Sequence, residues 1–258
     1  MDVEVALLDL IKIIEKGEGP HLDFKEMIPR DLGKVIASFA SCGGGLILIG
    51  INKNQQVIGV ETKELDGLWQ HVDEAIQKVH PTCHCDYINE EIQNRSIMVI
   101  KIRAGNHPLY YYNATPYIRE GTSSRPASPE EVENMVLEFH FEQGLRAVLN
   151  ELKTIKQIID GQMFVLELPT DSWKQLILRT SSNGQDVILN EVNSIYQQIL
   201  IWNSHAIVVR NLKNEEYSFN YPFKGLIGEF FDKRKSSLTI TLDASIISLE
   251  DKLGLHTS

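Results

Sequence analysis

The apolar positions change period several times along the chain, and each change predicts a new element. Val3, Leu7, Leu8, Ile11 and Ile14 recur at helical spacing until Gly17 and Gly19 end the pattern. Leu22 and Phe24 then alternate with His21, Asp23 and Lys25. That is the period of a strand with one buried face, and it assigns Asp23 and Lys25 to the polar face. Asp31 suits the N-cap of a helix carrying Leu32, Val35, Ile36 and Phe39, which stops at Gly43-Gly44-Gly45. Residues 46–51 read as a buried strand, 52–56 as a turn and 57–60 as the returning strand of a hairpin. A helix over about 64–78 places Leu68, Val72, Ala75 and Ile76 on one stripe and ends at His80-Pro81.

The pattern then turns to short strands: 87–89, 95–103 with both faces apolar, 108–112 and 116–119, followed by a loop over 121–128. Ser128, Pro129 and Glu131 supply a cap, a proline for the first turn and a carboxylate at the third position, so a helix starts there and runs to about 159. Beyond it, 173–179 and 187–202 read as helix, and 164–168 and 206–210 as strand. Residues 224–231 are apolar without a clear period, and 238–242 alternate apolar and hydroxyl side chains. These readings divide the chain into a domain over 1–140, a helical bridge over 141–160 and a smaller accessory α+β domain over 161–258. The fold class is α/β (α+β), with a mixed sheet flanked by helices in the first domain.

Composition narrows the function. The 258 residues carry 25 Lys+Arg against 35 Asp+Glu, a formal net charge of -10. A uniformly basic nucleic-acid coat is excluded, so any anion site must be a local cluster. The acidity sits in the first domain: residues 1–140 hold 13 basic and 21 acidic side chains, residues 141–258 hold 12 and 14. Three cysteines, Cys42, Cys83 and Cys85, are too few for a disulfide framework and fit a reducing, cytoplasmic setting. The opening residues lack the basic start and unbroken apolar core of a signal peptide. No apolar run approaches a bilayer span, so no membrane partner is expected.

Four pieces stand in a particular order: Glu18-x4-Asp23-Phe24-Lys25, then Ala37-Ser38-Phe39-Ala40-Ser41-Cys42-Gly43-Gly44-Gly45 with its apolar strand, then Val57-Ile58-Gly59, then Tyr117-Ile118-Arg119-Glu120-Gly121-Thr122-Ser123-Ser124-Arg125-Pro126-Ala127. Together they resemble the AlbA-like domain of the Schlafen family over roughly residues 15–140. The resemblance implies an α/β nucleic-acid-binding domain and, in some members, a metal-dependent endonuclease acting on structured RNA such as transfer RNA. The acids it carries over are Glu18 and Asp23, which would hold Mg or Mn, with Lys25 steadying the phosphate. A third acid is due near 52–54, where this chain has Asn52-Lys53-Asn54. Two carboxylates make a poor cage for a hard cation, because an Asn carbonyl adds no charge and Lys53 repels the ion. Two functions therefore stay open: an endoribonuclease, or a binding module without chemistry that acts as a transcription regulator or defence sensor.

The phosphate contacts expected from the resemblance are Lys25, Lys34, Arg119, Ser123, Ser124 and Arg125. Guanidinium forks and hydroxyls on a Gly-Ser loop suit phosphate oxygens. The bland alternatives are an ordinary ion pair for Lys25 and ordinary loop charges for the arginines. Gly43-Gly44-Gly45 fits neither phosphate-loop fingerprint, so no ATP site is recognised and a tight helix-to-strand turn is the better reading. His80, Cys83, His84 and Cys85 lack the two-pair spacing of a closed zinc site, so zinc is not expected. Lys233-Arg234-Lys235 is the densest positive cluster and reads as a solvated turn or as an extension of a phosphate groove. Schlafen enzymes hold substrate between two related lobes. Residues 160–258 do not repeat the motif, so a homodimer is the expected source of a second lobe, and RNA is favoured over DNA as ligand.

Overall fold

The computed structural model describes residues 7–61, 65–161, 167–179, 187–214 and 221–255. They divide into two compact units, Met1–Phe139 and His140–Ser258. The class is α+β. Strands, among the described residues, belong to the first unit and helices dominate the second.

The first unit is built on a mixed sheet of β1 (Leu22–Lys25), β2 (Gly45–Ile49), β4 (Cys85–Ile92) and β5 (Arg95–Ile102), in the order β1-β2-β5-β4. β1 runs parallel to β2, while β5 is antiparallel to both β2 and β4. The pleat explains the unbroken apolar runs. Ile47, Ile49, Met98, Ile100 and Ile102 point into one core with helix α2 (Leu32–Ser41), and Leu48, Ile97 and Val99 point into another with Leu10 and Ile14 of helix α1 (Leu7–Lys16). A strand covered on both faces has no polar side to display.

A second, antiparallel sheet of β3 (Val79–His80), β6 (Tyr111–Tyr112), β7 (Thr115–Glu120) and β8 (Ser123–Pro126) packs on α2. Helix α2 is thus clasped between layers. Leu32, Gly33 and every residue from Val35 to Ala40 are buried, as expected of a helix apolar on most sides. Helix α3 (Leu65–Gln77) adds Val72 and Ala75 to the same core. The glycine run makes the helix-to-strand turn: Gly43 and Gly44 have φ of 89° and 82°, and the amides of Cys42 and Gly44 both return to the Phe39 carbonyl. A Cβ on Gly44 would meet the Ile102 carbonyl at 2.6 Å.

Several expectations are corrected. The strand over 57–60 does not form. Only an isolated bridge joins Ile51 to Val57, because Asn52 closes the turn with its own side chain, accepting from the amides of Asn54 and Gln56 at 2.9 Å. The supposed loop after Arg119 is instead a hairpin, with β8 paired to β7 through a two-residue turn at Gly121-Thr122. The predicted helix start at Ser128 is present as a capping box in α4 (Pro129–Asp160), with Ser128 and Glu131 exchanging side-chain-to-amide hydrogen bonds.

In the second unit α4 is followed by α5 (Asp171–Arg179), α6 (Val187–Asn214) and α7 (Tyr221–Lys252). Residues 206–210 lie in α6, so the strand expected there is helix, and the alternating stretch 238–242 lies in α7. Ile188, Val192, Ile195, Tyr196, Ile199, Trp202, Ala206 and Val209 form the buried stripe of α6, joined in the core by Leu238, Leu242 and Leu249 of α7. Exposed Leu200, Ile201, Ile207 and Val208 break the polar face of α6 and blur that period in the sequence. Most of the strand expected over 164–168 lies outside the described residues, as do the first residues of the two N-terminal helices predicted over 3–15 and 64–78.

Candidate nucleic-acid interface and its buried ion pair

Asp23 does not lie on an open polar face. Leu22 and Phe24 turn toward the α1 side of the sheet, so Asp23 turns toward α2, where the second sheet covers it. Its side chain is 2% exposed, as is that of Arg119 on β7, which meets Asp23 Oδ2 at 3.4 Å. Lys25 Nζ reaches Asp23 Oδ1 at 2.6 Å and is itself 29% exposed. A lone buried carboxylate would be prohibitively costly; two cations and a covering layer make it tolerable.

Arg119 is the centre of this cluster. Its Nη1 donates to Ser124 Oγ at 3.2 Å, its Nη2 to the carbonyls of Gly19 and Leu22 at 3.4 and 3.5 Å, and its guanidinium lies 4.4 Å above the Phe39 ring. Its Nε is buried with no hydrogen-bond partner. Ser124 Oγ in turn lies 2.7 Å from Ser38 Oγ, which donates to the Val35 carbonyl at 2.8 Å. The chain Asp23, Arg119, Ser124, Ser38 therefore ties β1, β7, β8 and α2 together through polar groups. Ser38 escaped the sequence reading, although a serine in an otherwise apolar helix face is a visible signal.

Glu18 stands beside this pair. Its Oε1 accepts from the Phe24 amide at 2.9 Å. Burial, and then the neighbouring Asp23 carboxylate, push its pKa up from the ordinary value of 4.5, against the pull of the Phe24 amide and Lys25.

Arg125 is not brought to this cluster. Residues six apart share a face of a straight strand, but the two-residue hairpin turn inverts the parity. Arg119 pairs with Ser124, whereas Arg125 pairs with Ile118 on the opposite face. There Arg125 bonds Glu120 at 2.5 Å and holds Glu131 through a bidentate contact at 2.8 and 2.7 Å. That contact and the Ser128 amide hold the Glu131 carboxyl down at about 2. Ser123 is exposed beside the turn, and Lys34 at the start of α2 pairs with Asp31 at 3.2 Å.

Residues 18–128 match the family described as Schlafen, AlbA_2. They form a Schlafen AlbA_2 domain. Membership carries a nucleic-acid-related function at the level of the family. No curated protein matches the chain. Among solved structures it is similar to the DIP2311 protein from Corynebacterium diphtheriae, with 20% identity and a TM-score of 0.34 over 45% of this chain; the chain spans about a quarter of that protein, 23%. Among the described residues no helix is long and apolar enough to cross a membrane.

The donor set of the AlbA_2 domain can be tested against the divalent ion that the Schlafen resemblance implies. Such an ion needs several anionic oxygens with free lone pairs. Both oxygens of Asp23 face cations, Glu18 Oε1 is engaged by a backbone amide, and Asn52 spends its carbonyl oxygen on its own turn. The residues present do not fit the ion. Among the described residues no three His, Cys, Asp or Glu side chains converge on a common point. Cys83 and Cys85, whose sulfurs lie 3.7 Å apart, contact each other.

Proposed function

We propose that the AlbA_2 domain binds nucleic acid without cutting it, and that Glu18 and Asp23 serve its architecture. The observation that carries this reading is the Asp23 carboxylate, buried and shared between Lys25 and Arg119. A carboxylate whose two oxygens already face a lysine and a buried arginine has little free charge left for a divalent cation. The contacts we assign to phosphate are the partly exposed cations Lys25 and Lys34, 29% and 32% exposed, with Ser123 at the hairpin tip. Arg119 and Ser124 act one step back, tying together β1, α2 and β8, the elements that carry them. RNA is the ligand we favour, on the family likeness, and a second copy of the chain is the source we infer for a second lobe.

The test is incubation of the purified chain with transfer RNA and with single- and double-stranded DNA, in Mg, in Mn and in chelator. We expect an intact, retained RNA whose affinity falls linearly on a log-log scale with salt, and a Lys25→Ala/Lys34→Ala variant with a slope shallower by about 2. Metal-dependent cleavage that disappears in a Glu18→Ala/Asp23→Ala variant would overturn the reading in favour of an endoribonuclease.

A further inference from the structure

Cys83 and Cys85 stand at the entrance to β4 and take no part in the nucleic-acid reading. Both belong to the core beneath α2: Cys83 is buried there with Val79, Ile102 and Tyr110, and the half-buried Cys85 packs against that core. Their sulfurs lie 3.7 Å apart, within thiol hydrogen-bonding distance. A free cysteine in a core serves most often as a small apolar filler, and packing alone does not require two of them to meet sulfur to sulfur. The third cysteine is placed differently. Cys42 Sγ accepts the Arg119 amide at 3.2 Å.

The geometry permits a bond between them. Residues two apart in a chain keep their Cα atoms within about 7 Å, the outer limit for a bridge. A disulfide sets its sulfurs about 2 Å apart, so from 3.7 Å the two side chains have less than about 2 Å to close. The contact with the Cys85 thiol draws the Cys83 thiol below its ordinary value of 9.0, against burial, and so favours the thiolate, the form that attacks an oxidant. We propose that Cys83 and Cys85 are a peroxide-sensitive dithiol that closes to a reversible disulfide. One sulfur takes an oxygen from hydrogen peroxide, becoming a sulfenic acid and releasing a first water; the other displaces that oxygen as a second water and forms the S–S bond. The pair gives up two protons and two electrons, which reduce the peroxide, and a thiol reductant returns them. A three-residue ring constrains the unfolded chain little, so the bridge is a switchable modification and not a staple. It lies at a seam: the His84 carbonyl accepts the Arg103 amide at 3.0 Å, and Tyr87 stacks on Trp69 of α3 with ring centroids 4.7 Å apart.

The test treats the reduced full chain, native and in chelator, with hydrogen peroxide, then blocks the remaining thiols with N-ethylmaleimide and digests with trypsin for mass spectrometry. Cleavage after Lys78 and Arg95 places Cys83 and Cys85 on one peptide, 79–95, and cleavage after Lys34 and Lys53 places Cys42 on another, 35–53. We expect the 79–95 peptide to carry no maleimide and to be lighter by two hydrogens. Dithiothreitol added before the block should restore both thiols. Cys83→Ser and Cys85→Ser should each abolish the loss of two hydrogens, and Cys42→Ser should leave it unchanged. Should a serine variant fail to fold, the parent digest alone decides the matter. Maleimide on both cysteines of 79–95 after peroxide, added oxygen there without a bridge, or a link from either cysteine to Cys42 would overturn the proposal.

Discussion

The two units solve burial in opposite ways. In the second, the described buried residues are apolar apart from the indole N–H groups of its tryptophans and the hydroxyls of Thr170, Tyr196 and Ser245, and its ion pairs, such as Lys153 with Glu250, keep their side chains partly in water. In the first, a carboxylate and a guanidinium are sealed together under two sheets and a helix. A helical core built from leucine, isoleucine and tryptophan tolerates exchange of similar volumes. A buried ion pair tolerates almost nothing, because removing either partner strands the other. The difference teaches that in the first unit the polar groups of the candidate site are packed into the same layer as the core, whereas the second unit keeps its charges at the surface.

The sharpest way to break this comparison is Asp23→Ala. It leaves Arg119 buried without its counter-ion, and we expect a loss of about 3–5 kcal/mol in chemical denaturation. Crowded acids of an empty metal cage repel one another, so removing one would leave stability unchanged or raised; that result would contradict the ion-pair reading. On the other side of the comparison, Leu242→Ala removes a fully buried side chain from the helical core. It should cost about 2–5 kcal/mol, with Leu242→Met costing less than about 1.5. No such rescue is available for Asp23, since Asp23→Asn keeps the shape but not the charge.

Glu18→Gln should act in the opposite direction. The raised pKa means that the folded state favours the protonated carboxyl, so the stabilising contribution is present below the ordinary value of 4.5 and is lost as pH rises through the raised value. The Gln variant keeps an acceptor for the Phe24 amide and can donate to Asp23. At pH 7 it should be more stable than the parent, and the gain should shrink as pH falls toward 4.5. Denaturation curves across that range check both the sign and the trend.

The smallest effect is expected at Arg125. Its pair with Glu131 is open to solvent, and the held-down Glu131 carboxyl contributes stability that is present above the ordinary value of 4.5 and lost as pH falls toward about 2. Glu131→Gln should therefore move the melting temperature slightly, and less at high salt. If Arg125→Ala weakens RNA binding as strongly as the Lys25→Ala/Lys34→Ala variant, the two faces of the β7–β8 hairpin both contact the ligand and the interface is broader than proposed.

Much of the first unit was legible because its motifs are local. The capping box at Ser128 and Glu131, the glycine turn after α2, and the apolar period of α2 each depend on residues within a few positions of one another. The four ordered motifs were enough to recognise the family. The second unit was harder, since α6 is apolar on its buried stripe and at Leu200, Ile201, Ile207 and Val208 as well, and short windows of such a helix imitate strand. Of the candidate site, Glu18, Asp23, Lys25, Arg119 and Ser124 do come together, with Asp23 and Arg119 buried and Lys25 at the partly exposed edge.

What the sequence determined by itself was most elements of the first unit and the motif residues that carry the family resemblance. What only the tertiary structure decided was which way they face. Alternation along β1 assigns Asp23 to the side opposite Phe24, yet nothing within that strand says whether the side meets water or α2 and the second sheet. Likewise the six-residue spacing of Arg119 and Arg125 carries no face until a hairpin turn between them reverses the parity. Burial and parity are set by partners dozens of residues away, and in this domain they place one of the two motif acids in a shielded ion pair and the other beside it.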